Sequence, residues 1–267
     1  MAYWRPEICV GQLSLSDSRA EVGLAEITLR EAIDQGAKTM VIGIANVGGF
    51  ISDAWIPTIL EALESGLDVA SGLHARLAEI EEVATLAARL GRQLHDVRHP
   101  TQKFEPGVGD ARSGKRVLMV GTDCDVGKMF TGLSIEREMR RRGLDVDFRA
   151  TGQTGILIAG EGVSIDAVVS DFVSGAAESL SPNNHLQHWD VIEGQGCLQH
   201  PAYAAVTLGL IHGSQPDAIV LCHAADRRAL YGFPNYPTLS FERCIEDNLA
   251  AARLTNPAVE CAGLRVN

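Results

Sequence analysis

The sequence predicts an α/β protein that contains two parallel-sheet domains. Three observations predict this fold class. Short apolar runs alternate with amphipathic stretches, one of these runs leads into a glycine-rich loop, and an aperiodic segment rich in Pro, Gly and charge divides the chain. With 267 residues and 46% hydrophobic content, the chain is long enough to bury two cores of ordinary size.

The first part of the chain has the pattern of a Rossmann-like domain. Residues 39–45 form an apolar run typical of a buried strand, and residues 55–66 follow with apolar side chains on one helical face. A short strand over 67–72, a long helix over 73–91 and a returning strand over 93–99 continue the alternation. Strands that alternate with helices in this way pair in parallel.

The domain boundary follows from composition. We expect a first domain over residues 1–99, a linker over 100–116 that mixes Pro, Gly and charge without periodicity, and a second domain over 117–267. Because the chain stops on a predicted strand, we expect the second domain to be truncated at its C-terminus and to lack a final helix; a shortened form of the protein is the alternative. The strands predicted for this domain are 116–121, 144–150, 189–194, 217–223 and 259–266.

Composition and charge exclude several partners. The formal net charge of −11 disfavours nucleic acid and anionic membranes, and no apolar run approaches the ~18 residues of a membrane span. The six cysteines are scattered without a CxxC pair, which fits reduced thiols rather than a disulfide framework or zinc site. We expect a cytoplasmic homo-oligomer that acts on a small molecule.

The stretch "VGTDCDVGKMF", residues 120–130, predicts a phosphate-binding loop between a strand and a helix. Glycines let backbone N–H groups turn toward phosphate oxygens, and a lysine adds a point charge. Met129 stands where a nucleotide-hydrolysing P-loop normally has a Ser or Thr for Mg²⁺. The alternative is an ordinary glycine-rich turn. The predicted ligand-binding residues are Gly121, Thr122, Asp123, Cys124, Asp125, Val126, Gly127, Lys128, Met129 and Thr131.

Two resemblances extend this prediction. The loop resembles that of dethiobiotin synthetases, and "WDVIEGQGCL" resembles the stretch in which those enzymes place a glutamate near metal and phosphates, which corresponds to Glu193. A solvated carboxylate at a strand end is the alternative for Glu193. Longer motifs resemble the D-glutamate N-acetyltransferase family, long known as a domain of unknown function. They include "AKTMVIGIANVGGFISDAW", "GLDVASGLHARL", "VGTDCDVGKM", "DFRATGQTGILIAG" and "HWDVIEGQG".

The second resemblance implies a P-loop NTPase-like three-layer α/β domain and transfer of an acetyl group from acetyl-CoA to a D-amino acid, D-glutamate first. Coenzyme A carries a pyrophosphate and a 3′-phosphate, so a P-loop can hold it without hydrolysing anything. The missing hydroxyl at Met129 is then of little consequence. Two alternatives stay open, an ATP- and Mg-dependent enzyme in which Thr131 supplies the hydroxyl, and a non-catalytic protein that binds a nucleotide or CoA.

Acetyl transfer requires a base for the amine and cations for the substrate carboxylates. Glu193 is the predicted general base and Asp123 its rival. Arg149 is the predicted carboxylate clamp, with an ion pair to Asp147 as the alternative. The neutral hydrogen-bonding residues predicted for the same cleft are Thr151, Gln153 and Thr154.

No metal site is predicted. His185 and His188 lie three apart without a third ligand nearby, so we interpret them as surface histidines. Cys124 and Cys197 are interpreted as small packed residues rather than nucleophiles.

Overall fold

The structure is a computed structural model that describes residues 1–15, 20–44, 46 and 48–267. It divides into two compact units, Met1–His99 and Pro100–Asn267. Among the described residues, no helix has both the length and the apolar character needed to cross a membrane.

The first unit contains a parallel three-stranded sheet of order β1-β2-β3. Its α2 packs apolar side chains such as Ile59 and Leu63 against Val69 of the sheet, which confirms the predicted Rossmann-like alternation. Ala45, the last residue of the first predicted strand, lies outside the described residues. The elements are α1 (Leu29–Asp34), β1 (Thr39–Ile42), α2 (Ile56–Glu64), β2 (Asp68–Ser71), α3 (Glu81–Leu90) and β3 (Leu94–Asp96).

The long helix predicted over residues 73–91 is shorter in the structure. α3 begins at Glu81, and a separate 3-10 turn spans Leu77–Glu79. The carboxylate of Asp96 accepts hydrogen bonds from the backbone N–H groups of Leu77 (2.7 Å) and Ala78 (3.2 Å). A carboxylate at the end of β3 therefore holds these donors outside a continuous helix.

The second unit is built on a parallel five-stranded sheet of order β10-β7-β4-β6-β5. An antiparallel hairpin, β8 with β9, follows β7 and was not predicted from the sequence. The strands are β4 (Lys115–Gly121), β5 (Val146–Arg149), β6 (Trp189–Ile192), β7 (Ala218–His223), β8 (Ala229–Leu230), β9 (Phe233–Pro237) and β10 (Glu260–Val266). The helices are α4 (Lys128–Arg141), α5 (Gln153–Ala159), α6 (Val173–Leu180), α7 (Ala204–Ser214) and α8 (Phe241–Ala252).

Helices cover both faces of this sheet. Leu118 and Val120 of β4 pack in a cluster with residues of α8, whereas Val117 and Met119 pack in another with residues of α4. Alternate side chains of a strand point to opposite faces. The nearly continuous apolar strand is therefore buried on both sides, and the predicted three-layer α/β fold is confirmed.

The segment predicted as a linker belongs to the second unit. The Glu178 carboxylate of α6 accepts hydrogen bonds from the N–H groups of Val108 (2.9 Å) and Gly109 (2.8 Å), and Arg112 donates to the carbonyl of Gly213 (2.6 Å). β4 begins at Lys115, two residues before the boundary placed at 117. The polar groups of this segment instead form hydrogen bonds with α6 and α7.

Candidate functional site

The predicted phosphate-binding loop connects β4 to α4 at the carboxyl edge of the sheet. Asp125 (φ 51°) and Gly127 (φ 83°) both adopt left-handed conformations around the buried Val126. A Cβ on Gly121 would lie 2.8 Å from the carbonyl oxygen of Asp123, so this position has no room for a side chain. Among the described residues, no side chain caps the N-terminus of α4. Its first backbone N–H groups and its dipole therefore favour an anion.

Lys128 lies inside this loop. Its side chain is buried, and its ammonium group donates to the backbone carbonyl of Asp123 (2.9 Å). Gly194, just after β6, packs so tightly that a Cβ there would lie 3.0 Å from Lys128 Cδ and would collide with the carbonyl of Met119. The loop and the segment that carries Glu193 are thus in direct contact.

Other predicted loop residues have structural contacts. The Thr122 hydroxyl is 2.8 Å from Nδ1 of His223. Thr131 is buried, and its hydroxyl meets the Asn267 amide (3.4 Å) and the thiol of Cys222. Met129 is partly exposed and carries no hydroxyl. The hydroxyl groups of Thr122 and Thr131 therefore both contact other groups of the protein.

Glu193 follows β6 and is only 3% exposed. Its Oε2 accepts hydrogen bonds from the backbone N–H groups of Thr151 (2.8 Å) and Gly152 (3.0 Å), while Thr151 Oγ1 donates to the Glu193 carbonyl (2.7 Å). Within the described part of the chain, Oε1 accepts no hydrogen bond. Burial raises the pKa of Glu193 to about 7, even though these N–H groups and the charge of Lys128 act to lower it.

Glycines shape the space around this carboxylate. A Cβ on Gly155 would collide with Oε2 of Glu193 and lie 3.2 Å from Oε1. A Cβ on Gly152 would collide with the Gln195 amide. Thr151 is fully buried and contacts Glu193 through its backbone N–H and its hydroxyl. Gln153 is half-buried and Thr154 is exposed, and both lie at the start of α5.

Arg149 lies at the end of the edge strand β5 within a network of acids. It forms ion pairs with Asp190 (2.6 Å), Asp147 (3.1 Å) and Glu161 (3.9 Å), and it lines a cavity of about 410 Å³. His188 joins the network through Asp190 (3.3 Å) and is only 3% exposed. The prediction that His188 is a surface residue was wrong, because its ring is buried between Asp190 of β6 and Asp145, which lies 3.0 Å from Nδ1. The geometry favours the ion-pair interpretation of Arg149.

Asp123 is fully buried and holds the β8–β9 hairpin. Its Oδ2 accepts from the Arg227 guanidinium and from the backbone N–H of Tyr231, each at 2.7 Å, and its Oδ1 accepts from the N–H of Cys124 (2.7 Å). His200 is 3.9 Å from Oδ1. Sequence reasoning missed Arg227, Tyr231 and His200; the Tyr-Gly-Phe turn was the available signal for a hairpin, but nothing in the sequence paired that hairpin with the loop.

The ligand atoms of Asp123, Cys124 and His200 lie within 4.8 Å of one another, which is compatible in distance with a metal site. The Asp123 oxygens and the His200 ring nitrogens, however, already have hydrogen-bond partners. Burial raises the pKa of the Cys124 thiol to about 11, so the thiol is protonated at neutral pH. The pKa of Cys197 is raised to about 11 for the same reason. We assign no metal to this cluster and no nucleophilic role to either thiol.

A five-stranded parallel sheet with a P-loop and a buried glutamate at its carboxyl edge, preceded by a Rossmann-like unit, defines a two-domain P-loop protein. Residues 105–267 match the family described as "Domain of unknown function (DUF1611_C) P-loop domain", and residues 14–100 match its "Rossmann-like domain" (DUF1611_N). The chain belongs to the DUF1611 family, which confirms the family resemblance of the motifs.

Two relatives and one solved structure are similar over most of the chain. A protein from Pseudoalteromonas sp named D-glutamate N-acetyltransferase is 52% identical over 267 residues, which cover 100% of this chain and 80% of the relative. A protein of the same name from Tritonibacter scottomollicae is 50% identical over 264 residues, covering 99% and 79%. A crystal structure of a DUF1611 family protein from Anabaena variabilis ATCC 29413 is 34% identical with a TM-score of 0.82, covering 91% and 72%.

Proposed function

We propose that the protein is a cytoplasmic N-acetyltransferase that moves the acetyl group of acetyl-CoA to the amino group of D-glutamate or a similar D-amino acid. The observation that carries the proposal is the identity of about half of all positions, over nearly the full chain, to two relatives that bear the name D-glutamate N-acetyltransferase. The buried glutamate beside the phosphate-binding loop supports it, because this chemistry needs a base near an anionic donor.

Glu193 is proposed as the general base. A carboxyl group with a pKa of about 7 is substantially ionised at neutral pH, yet basic enough to take a proton from the ammonium group of the acceptor. The freed amine attacks the thioester carbonyl, the C–N bond forms, the C–S bond breaks, and a proton passes to the leaving thiolate. Thr151 and Gly152 hold Oε2, which leaves Oε1 to receive the proton.

The loop and Lys128 are proposed to hold the phosphates of the acyl donor. An uncapped helix N-terminus and a buried lysine form a site for oxyanions that requires no hydroxyl at Met129. Thr131 does not replace that hydroxyl in this proposal, since its own hydroxyl contacts Asn267 and Cys222. On the acceptor side, Gln153 and Thr154 at the start of α5 are proposed to offer neutral hydrogen bonds.

The test of the function is an assay with purified protein, acetyl-CoA and either D-glutamate or L-glutamate, with the N-acetyl product identified by mass spectrometry. We expect product from the D-isomer that forms equally well in EDTA and in Mg²⁺. Met129→Thr should leave this independence unchanged. Activity that requires ATP and Mg²⁺ and releases phosphate would instead identify an enzyme of the dethiobiotin synthetase type.

The test of the donor site is calorimetry with acetyl-CoA. Lys128→Ala should weaken binding roughly tenfold to a hundredfold, the range for a hydrogen bond to a charged group. Lys38→Ala, which removes an exposed lysine of the first unit, is the control for charge alone. Equal affinities for the wild type and Lys128→Ala would exclude the P-loop as the phosphate site.

A further inference from the structure

The β8–β9 hairpin is fastened to the phosphate-binding loop by a single carboxylate oxygen. Oδ2 of Asp123 accepts one hydrogen bond from Arg227, just before the hairpin, and one from the backbone N–H of Tyr231 within it, both at 2.7 Å. Because Asp123 belongs to the loop, Arg227 lies directly beside the proposed phosphate site. An ion pair and a backbone bond to the same buried oxygen fix the guanidinium in place.

His200 provides a second attachment for the hairpin. Its Nδ1 accepts a hydrogen bond from the N–H of Ala202 (3.1 Å), so the ring proton is on Nε2, which donates to the carbonyl of Tyr231 (3.0 Å). The same ring stacks on Tyr203 with centroids 4.7 Å apart and meets Phe233 edge-on at 5.0 Å. The hairpin is thus held by packing as well as by Asp123.

The guanidinium of Arg227 retains unused hydrogen-bonding capacity. A guanidinium group has five N–H donors, yet in the described part of the chain Nη1 is the one guanidinium nitrogen of Arg227 that has a hydrogen-bond partner. The side chain is 22% exposed and lies over the Tyr231 ring at 5.7 Å. Arg149 differs, since it forms ion pairs with three carboxylates and is 15% exposed.

The geometry points to Arg227 as the residue that binds an oxyanion of the substrates, with Asp123 as the positioning residue that orients it. This assignment rests on the proposed function. Two sources supply the same chemistry, a carboxylate of the acceptor amino acid and a phosphate of the acyl donor, and a guanidinium fork binds either in a bidentate manner. Asp123 is then not a base, because its oxygens are committed to the hairpin, the loop and Arg227.

The experiment measures the affinities for D-glutamate and for CoA separately by calorimetry, which does not require that acetyl transfer takes place. Arg227→Gln should weaken binding of one of them roughly tenfold to a hundredfold, and Arg227→Lys should recover part of the loss. Arg227→Gln alone leaves the buried Asp123 carboxylate without its ion pair, which can prevent folding. The double variant Asp123→Asn/Arg227→Gln removes this charge as well, and the same binding measurements are then made on the double variant. Arg228→Gln, an exposed neighbour, controls for net charge.

Steady-state kinetics then identify which substrate supplies the oxyanion that Arg227 binds. If Arg227 binds the donor, the preference for acetyl-CoA over acetyl-pantetheine, which lacks the phosphates, should collapse in Arg227→Gln. If Arg227 binds the acceptor, the KM for D-glutamate should rise while that preference stays. Unchanged binding of both ligands in a folded variant, or equal losses in Arg228→Gln, would overturn the assignment. A wild type that binds both ligands but transfers no acetyl group would overturn only the proposed function.

Discussion

Two buried acids at the carboxyl edge of the same sheet differ in their partners. Glu193 is 3% exposed and accepts two backbone hydrogen bonds on one oxygen. Asp123 is 0% exposed and accepts two backbone hydrogen bonds together with an ion pair from Arg227. Among the described residues, no comparable ion pair involves Glu193.

This difference is what we expect between a proposed general base and a group that holds the structure. Without a guanidinium, burial dominates and raises the pKa of Glu193 to about 7. The carboxylate of Asp123 instead pairs with the Arg227 guanidinium, and its hydrogen bonds join the loop to the hairpin. Both acids follow apolar strands and lie near glycines in the sequence, so the distinction depends on Arg227, which is about a hundred residues from Asp123 along the chain.

The largest effect is expected for Glu193→Gln. Loss of the base should lower kcat by roughly 10² to 10⁴, with acetyl-CoA affinity retained. Glu178→Gln is a matched control, because Glu178 also accepts two backbone hydrogen bonds but lies on α6 against the residues 108–109. An unchanged kcat in Glu193→Gln would exclude this glutamate as the base.

The same carboxyl group should make stability depend on pH. Because the pKa of Glu193 is raised from 4.5 to about 7, the folded protein holds the proton more tightly than the unfolded chain. The free energy of unfolding should therefore fall by up to about 3 kcal/mol from this group as pH rises through that interval. Glu193→Gln should remove this component in urea titrations at several pH values; an identical slope in both proteins would contradict it.

The strand and loop pattern of the site was predictable from the sequence, and the assignment of its charges was not. The run that ends at Gly121 and the helix from Lys128 follow local periodicity and glycine chemistry. The ion pairs of Arg149 with Asp190 and Glu161 instead depend on parallel pairing between β5 and β6 and on a turn after α5. Such pairs join residues distant in sequence, and periodicity carries no information about them.

The β8–β9 hairpin could not be predicted from the sequence either. Its strands span two and five residues, which is too short for an alternating pattern to stand out. The loop-to-hairpin contacts arise only when the strand order places β7 beside β4. The long helix predicted over 73–91 failed for a related reason, since the carboxylate of Asp96 holds residues 77–78 in a separate turn.

A smaller loss is expected when the carboxylate is displaced rather than removed. Gly155→Ala adds a Cβ that collides with Oε2 of Glu193, so the base should shift and kcat should fall roughly tenfold to a hundredfold. Gly263→Ala is the control, because a Cβ there meets nothing within 4 Å. Steady-state kinetics that show the same kcat for both variants would mean that the position of Glu193 is not critical.

The smallest effect on kcat is expected for Asp123→Asn. The amide keeps an acceptor for Tyr231 but loses the ion pair to Arg227, so a KM should rise while the pH dependence of kcat stays as in the wild type. The measurement is kcat and KM for each substrate across pH. If the kcat–pH profile of Asp123→Asn lacks its low-pH limb, then Asp123 rather than Glu193 is the base.

The central claim is that Glu193 is the base for acetyl transfer, and the most direct measurement is the pH dependence of kcat at saturating acetyl-CoA and D-glutamate. In the wild type, kcat should rise with pH through a single ionisation near 7, because Glu193 is active only when deprotonated. In Glu193→Gln, the residual kcat should show no such limb. A limb that persists in Glu193→Gln would contradict the account.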